Sequence, residues 1–134
     1  MALSQLIAGV AIALVIAWLA HLAFVYRSSR AAIGRPVAHL AADLPGLVDA
    51  ATPALLYFYS DHCPPCRQTT PTIDALTAAR PGIVKVDVTR TPAVAKSLGV
   101  KVTPTLLVVR DGRVAKVLVG AKSRTAIEQA LDSA

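Results

Sequence analysis

Cys63 and Cys66 are the only cysteines in the chain, and two prolines separate them. An apolar and aromatic run at 54–59 precedes the pair and predicts a buried strand, whereas the residues after Cys63 follow a helical pattern. Cys63 is thereby placed over the N-terminus of a helix, where free N–H groups and the helix dipole stabilise a thiolate. Cys66 follows one turn later, within reach of a disulfide bond to Cys63. This spacing predicts dithiol–disulfide exchange, in which Cys63 attacks and Cys66 resolves.

Two other uses of the cysteine pair compete with exchange. A permanent disulfide over one helical turn closes a very short loop, so it would restrict the unfolded chain too little to stabilise the fold. A metal site needs about four ligands, and beyond the two sulfurs only His62 and His39 are candidates. We therefore expect no metal and no other cofactor. A metallochaperone that uses Cys63, Cys66 and His62 is kept as the alternative function, and a scaffold without redox activity as a third.

Residues 1–26 are predicted to form a transmembrane anchor. Residues 3–26 carry no charged side chain, and they explain why 54% of the chain is hydrophobic. At about 1.5 Å per residue, a helix over this stretch is long enough to cross a hydrocarbon core of about 30 Å. Trp18, Phe24 and Tyr26 gather towards its C-terminal end, as aromatic residues do at a membrane interface. A signal peptide would begin with basic residues, and no charge precedes Arg27.

All 14 basic and 8 acidic side chains lie beyond the anchor, so the net charge of +6 belongs to the remainder of the chain. The basic residues are scattered and lack the interleaved aromatic residues of a nucleic-acid surface, so we expect no nucleic-acid partner. Arg27, Arg30 and Arg35 follow the anchor closely, where each would gain about 1 kcal/mol from anionic lipid. We expect a basic linker at 27–36 and one monomeric domain at 37–134.

The domain alternates between strand and helix patterns. The predicted elements are an edge strand at 37–40, a helix at 43–51, a strand at 54–59, a helix from Cys63 to Pro81 with a kink at Pro71, a strand at 83–88, a helix at 91–99, strands at 105–109 and 113–119 joined at Asp111-Gly112, and a helix at 123–131. This order predicts an α/β fold in which a mixed sheet has helices on both faces. The early strands are expected to be parallel, and the last hairpin to add an antiparallel strand.

With Cys-Pro-Pro-Cys at the first long helix and Val-Thr-Pro-Thr at 102–105, residues 37–131 resemble the thioredoxin family. The helix proline at 71, the strand lysine at 85, the Asp-Gly hairpin and Gly120 fall at the family's intervals. The resemblance implies a thioredoxin fold in which Pro104 is a cis-proline packed against the disulfide. It also implies that the backbone of Thr103 and the wall formed by Pro104 receive a substrate strand.

Three positions depart from the family pattern. His62 stands where the family usually has tryptophan, and Pro64-Pro65 replaces the usual Gly-Pro between the cysteines. Tyr57 replaces the buried aspartate that assists proton transfer in the family. We expect His62, Pro64 and Pro65 to support the substrate site, and Lys85 and Tyr57 to be candidates for handling protons.

Together these features predict a membrane-tethered thiol–disulfide oxidoreductase. Its expected partners are proteins that carry disulfides or thiols, and an upstream redox protein. Many tethered relatives face the oxidising side of the membrane, but the arginines after the anchor place the domain in the cytoplasm by the positive-inside rule. We expect the cytoplasmic face and a disulfide-reducing role, with the extracytoplasmic face as the alternative.

Overall fold

A four-stranded mixed sheet organises the C-terminal part of the chain. The computed structural model describes residues 1–44 and 54–134, and its strands are β1 (Ala54–Tyr59), β2 (Ile83–Asp87), β3 (Thr105–Arg110) and β4 (Arg113–Val119), in the spatial order β2-β1-β3-β4. β1 is parallel to β2 and antiparallel to β3, and β3 is antiparallel to β4. The predicted mixed sheet is confirmed.

The antiparallel direction enters one strand earlier than the sequence predicted. Between β2 and β3 the chain forms the short helix α3 (Pro92–Ser97), which spans about 9 Å at 1.5 Å per residue. A six-residue strand is about 20 Å long, so α3 is too short to return the chain to the end of the sheet at which β1 and β2 begin. β3 therefore begins at the end of the sheet where β1 finishes, and Thr105 pairs with Phe58.

Helices cover both faces of the sheet, as predicted. Alternate β1 side chains point to opposite faces, because successive residues of a strand do so. Helices α2 (Pro64–Ala79) and α4 (Arg124–Asp132) cover the face that contains Leu55, Tyr57, Leu106, Val108, Ile73, Leu76, Ile127 and Leu131. The opposite face packs against α3 and the segment before β1, and contains Leu56, Phe58, Val86, Val94, Leu98, Leu107, Val37, Leu40 and Leu44.

The local signals that set the element boundaries are present. Cys63 is the N-cap of α2, and Pro71 lies inside that helix. Asp111 and Gly112 both have positive φ, at 52° and 69°, as a tight hairpin turn between β3 and β4 requires. Ser123 caps α4, since its hydroxyl accepts a hydrogen bond from the Ala126 amide.

The N-terminal helix α1 extends over Ala2–Arg30. Its segment from Ala2 to Ser28 has a mean hydropathy of 2.4 and is long enough to cross a membrane. The large apolar side chains of this helix, from Leu3 to Leu22, are exposed to solvent. Within the described residues, one helix therefore meets the requirements of a membrane span.

The predicted edge strand at 37–40 is wrong. Residues Ala38–Leu40 form a 3₁₀ helix, and the preceding Pro36 makes an isolated β-bridge to Arg113. The buried side chains Val37 and Leu40 are three residues apart, which matches a helical turn rather than the alternation of a strand. The predicted helix at 43–51 lies outside the described residues beyond position 44.

Candidate active site

Cys63 and Cys66 form a disulfide bond at the N-terminus of α2. Their Cα atoms are 5.2 Å apart, and the Cys63 Sγ accepts a hydrogen bond of 3.3 Å from the Cys66 amide. Cys63 is 8% exposed, whereas Cys66 is 1% exposed. Cys63 at the helix N-terminus is thus the more accessible of the two residues, and Cys66 is the more deeply buried.

The two intervening prolines occupy the first two positions of α2, and both are exposed. Proline has no backbone N–H, so neither position can donate a hydrogen bond to a thiolate at Cys63. An N-cap side chain normally accepts from the second or third residue of the helix. Of these two residues, the third, Cys66, is the one that offers its amide here.

Tyr57 lies next to Cys66. Its side chain is fully buried, and its hydroxyl donates to the Cys66 carbonyl oxygen at 3.2 Å and shares a hydrogen bond of 3.0 Å with the Thr70 hydroxyl. Burial raises the pKa of Tyr57 above its ordinary value of 10.0, although the hydrogen bond from Thr70 and the charge of Lys85 act in the opposite direction. Tyr57 is therefore neutral at physiological pH, unlike a carboxylate in the same place.

Lys85 is opposite Tyr57 in the parallel register of β1 and β2. Its ammonium group forms an ion pair with Asp74 at 2.7 Å and lies 5.3 Å from the centre of the Tyr59 ring. Lys85 and Cys66 both line an open cleft of about 410 Å³. The cleft connects the surroundings of Cys66 to solvent, and Lys85 forms part of its wall.

The loop before β3 lies at the same end of the sheet as the cysteine pair. The peptide bond between Thr103 and Pro104 is cis, as the resemblance implied, and Pro104 is buried. The Thr105 hydroxyl donates to the Val102 carbonyl at 2.7 Å, and the Gly120 amide donates to the Pro104 carbonyl at 2.8 Å. These hydrogen bonds hold the loop at the end of the sheet where β1 leads into the cysteine pair.

His62 is exposed beside Cys63, and in the described part of the chain it takes part in no hydrogen bond or ion pair. Among the residues at 1–44 and 54–134, no group of three histidine, cysteine, aspartate or glutamate side chains could hold a metal ion.

Two residues of this site were missed at the sequence level. Thr70 bonds the Tyr57 hydroxyl, and Asp74 binds Lys85. Both follow Cys66 at intervals of four residues, so they lie on the same side of α2. That spacing indicates a shared face of the helix, but it does not show which strand residues this face meets.

Comparison with known proteins agrees with this geometry. The Thioredoxin family model matches residues 43–133. The thioredoxin of Streptomyces clavuligerus is 40% identical over 77 residues, which are 56% of this chain and 72% of that protein. Thioredoxin 1 of a Nostoc species is 32% identical over 89 residues, which are 64% and 83%. A mutant thioredoxin of Halobacterium salinarum superposes with a TM-score of 0.60 at 28% identity, covering 65% of this chain and 78% of that one.

The fold and the cysteine pair define a thiol–disulfide oxidoreductase. The chain belongs to the thioredoxin family, and the matched part begins after the apolar helix and ends at the last helix of the fold.

Proposed function

We propose that the chain is a membrane-anchored oxidoreductase that exchanges disulfides with protein substrates through Cys63 and Cys66. The observation that carries this proposal is the position of the disulfide at the N-terminus of α2, with Cys63 the more exposed of the two residues. The anchor is the apolar part of α1, which is long enough to span a bilayer.

In the reducing direction, the Cys63 thiolate attacks one sulfur of a substrate disulfide. A mixed disulfide forms between Cys63 and the substrate, and the second substrate sulfur leaves as a thiolate. The Cys66 thiolate then attacks Cys63, which releases the first substrate sulfur and forms the internal disulfide. A dithiol partner reduces this disulfide again, so the substrate gains the two electrons that the partner loses.

We assign substrate contact to the loop at Thr103 and Pro104. Its position at the end of β1 supports this role, because a substrate strand lying there would present its sulfur to Cys63. The exposed side chains of His62, Pro64 and Pro65 surround Cys63 and would form the rest of the contact surface.

We assign Lys85 to the proton that Cys66 must lose, and Tyr57 to the position of the helix turn that carries Cys66. Lys85 lines the cleft to which Cys66 contributes, so its positive charge can stabilise the developing thiolate. Tyr57 is neutral and bonded to the Cys66 carbonyl, so it positions the helix turn rather than accepting a proton.

Trapping of mixed disulfides tests the roles of the cysteines. The full chain with Cys66→Ser should accumulate mixed disulfides with substrate proteins through Cys63, because no resolving thiol releases them. The Cys63→Ser chain is the matched control and should accumulate none. Equal trapping by the two variants would overturn the assignment. The alternative of a metal-transfer module requires that the reduced chain bind Zn²⁺ or Cu⁺ with loss of binding in His62→Ala, which a titration measures directly.

We place the domain on the cytoplasmic face. Arg27 and Arg30 lie in the last turn of α1, and Arg35 follows closely, so positive charge is concentrated on the domain side of the anchor. A reducing role follows from that compartment. A membrane-impermeant thiol reagent applied to intact, mildly reduced cells should leave Cys63 unlabelled until lysis. Labelling before lysis would put the domain outside.

A further inference from the structure

The C-terminal turns of α1 pack along the edge strand β4. Leu22, Val25 and Tyr26, which share one side of the helix, form an apolar pocket with Val117–Val119 and Lys122. The ammonium group of Lys101 lies 5.3 Å from the centre of the Phe24 ring. The helix therefore contacts the domain itself.

The segment that follows α1 fixes this arrangement. The Gly34 amide donates to the Val114 carbonyl at 2.8 Å, and the Val114 amide donates to the Arg35 carbonyl at 3.0 Å. The Arg35 guanidinium donates to the Ser97 carbonyl of α3 at 2.7 Å. Backbone and side-chain bonds thus tie the chain to both β4 and α3, which limits rotation of the domain about the helix.

The contacts also give the direction in which α1 leaves the domain. Gly34 lies at the start of β4, beside Val114, whereas Leu22 lines a pocket together with Val117–Val119 at its end. Moving towards the N-terminus of α1 therefore means moving towards Val119. Val119 pairs with Thr105, next to the cis-proline loop. The part of α1 that precedes these contacts extends past the end of the sheet that carries the cysteine pair.

The length of that free part matches a bilayer. Residues 2–21 precede the contacts with β4, and at about 1.5 Å per residue they span about 30 Å, the thickness of a hydrocarbon core. Trp18 lies near the domain end of this span, where an interfacial aromatic residue belongs. Lys101 and Lys122, beside the last turns of α1, would then lie near the lipid headgroups.

We propose that the redox centre faces the membrane surface and that its substrates are cysteine pairs held close to that surface in other membrane proteins. This inference rests on the proposed function, because it assigns the substrate class of the same cysteine pair. A disulfide just outside the bilayer would meet Cys63 and the Thr103 loop without any movement of the domain. A disulfide far from the membrane would lie nearer the opposite end of the sheet, away from Cys63.

Spin labelling of the full chain in nanodiscs tests the orientation. One sample carries a nitroxide on Cys63 in Cys66→Ser, and the control carries it on Arg110→Cys in a chain with both native cysteines changed to serine. Arg110 is exposed at the opposite end of β3. Lipids with nickel-chelating headgroups should relax the Cys63 label more strongly than the control label. Equal relaxation, or stronger relaxation of the control, would overturn the inference.

Kinetics with tethered substrates test the substrate class. A disulfide-containing peptide is coupled to a lipid headgroup through a short linker or through a long, flexible one, and each is mixed with the reduced chain in nanodiscs. The short-linker peptide should be reduced about tenfold faster, because its disulfide is confined to the layer that Cys63 faces. Equal rates, or a faster long-linker peptide, would refute the membrane-facing centre. Failure to reduce either peptide or free insulin would instead refute the proposed function.

Discussion

At the residue scale, the reactivity of Cys63 depends on how many amides reach its sulfur. Pro65 occupies the second position of α2, from which an N-cap normally receives a hydrogen bond, so the donor in this first turn is the Cys66 amide. We predict that Pro65→Ala restores a donor and lowers the midpoint of the pH dependence of Cys63 alkylation by about one unit. The stabilised thiolate favours the reduced form, so the reduction potential should rise by about 30 mV.

The matched control for Pro65→Ala is Pro64→Ala. Both substitutions exchange an exposed proline for alanine in the first turn of α2. The first helical position does not normally donate to the N-cap side chain, so Pro64→Ala should shift the midpoint less. The two variants are compared by iodoacetamide alkylation of the reduced chain against pH. A larger shift for Pro64→Ala would contradict the role given to the second position.

Tyr57 makes the stability of the fold sensitive to alkaline pH. Its pKa is raised by burial, so its contribution to stability is complete below an unfolded value of about 10 and is lost as the pH rises through the folded value. We predict that the free energy of unfolding falls less between pH 8 and pH 11 in Tyr57→Phe than in the native chain. Near neutral pH the variant should lose about 1 kcal/mol with its hydrogen bonds.

Denaturant unfolding at several pH values measures this difference. Tyr59→Phe serves as control, because it removes a tyrosine hydroxyl from the same strand at a half-buried position. The control should keep the alkaline loss of the native chain. An alkaline loss in Tyr57→Phe as large as in the native chain would show that another group is responsible.

The sequence was informative about this site wherever a residue's role follows from its position in a motif. Cys63 and Cys66 could be placed at the helix N-terminus because a strand pattern precedes them and a helical one follows. The partners of Tyr57 and Lys85 could not be identified, since Thr70 and Asp74 are ordinary polar residues of α2. Only the packing of α2 against β1 and β2 determines which helix residues meet these strands.

At the element scale, the loop before β3 depends on a buried hydroxyl. Thr105 is 2% exposed, and its Oγ1 atom donates to the Val102 carbonyl across the cis-proline. We predict that Thr105→Val, which keeps the shape of the side chain, loosens the loop and lowers stability by about 1 kcal/mol. The KM for a protein disulfide should rise, whereas the alkylation rate of Cys63 should stay unchanged.

Thr77→Val provides the control for this prediction. The Thr77 hydroxyl also donates to a backbone carbonyl, that of Ile73 at 2.8 Å, but it lies in α2 away from the loop. It should change the KM little. Insulin reduction and alkylation of each variant separate the two effects. A KM that rises equally in both variants would indicate a general loss of stability rather than a loosened loop.

Elements with strong local signals were predictable, and those determined by long-range packing were not. The Asp-Gly turn, the Ser123 cap and the alternation of β2 each depend on a few neighbouring residues, and all three agree with the structure. The direction of β3 depends on how far the chain travels after β2. Residues 37–40 have too few side chains to distinguish an alternating pattern from a helical turn.

At the scale of the whole molecule, the segment that joins α1 to the domain is hydrogen-bonded to β4 and α3 and is not a free linker. The sequence predicts a lipid contact for Arg35, yet its guanidinium donates a hydrogen bond to the Ser97 carbonyl and lies 3.4 Å from the position that a Cβ on Gly99 would occupy. Sequence alone could not reveal this use, because Ser97 is 62 residues away. Arg35 therefore supplies positive charge close to α1 and also a hydrogen bond within the fold.

We predict that Arg35→Ala releases the domain from its fixed direction relative to α1 without changing the cysteine pair. The variant loses the bonds to Ser97 and Ala31, so residues 31–37 should become more sensitive to limited proteolysis. In nanodiscs with nickel-chelating lipids, relaxation of a Cys63 label should fall towards that of the Arg110→Cys control. Arg90→Ala is the matched variant, since Arg90 is 85% exposed and pairs with the nearby Asp87. If Arg35→Ala and Arg90→Ala relax alike, other contacts of α1 with β4 hold the domain in place.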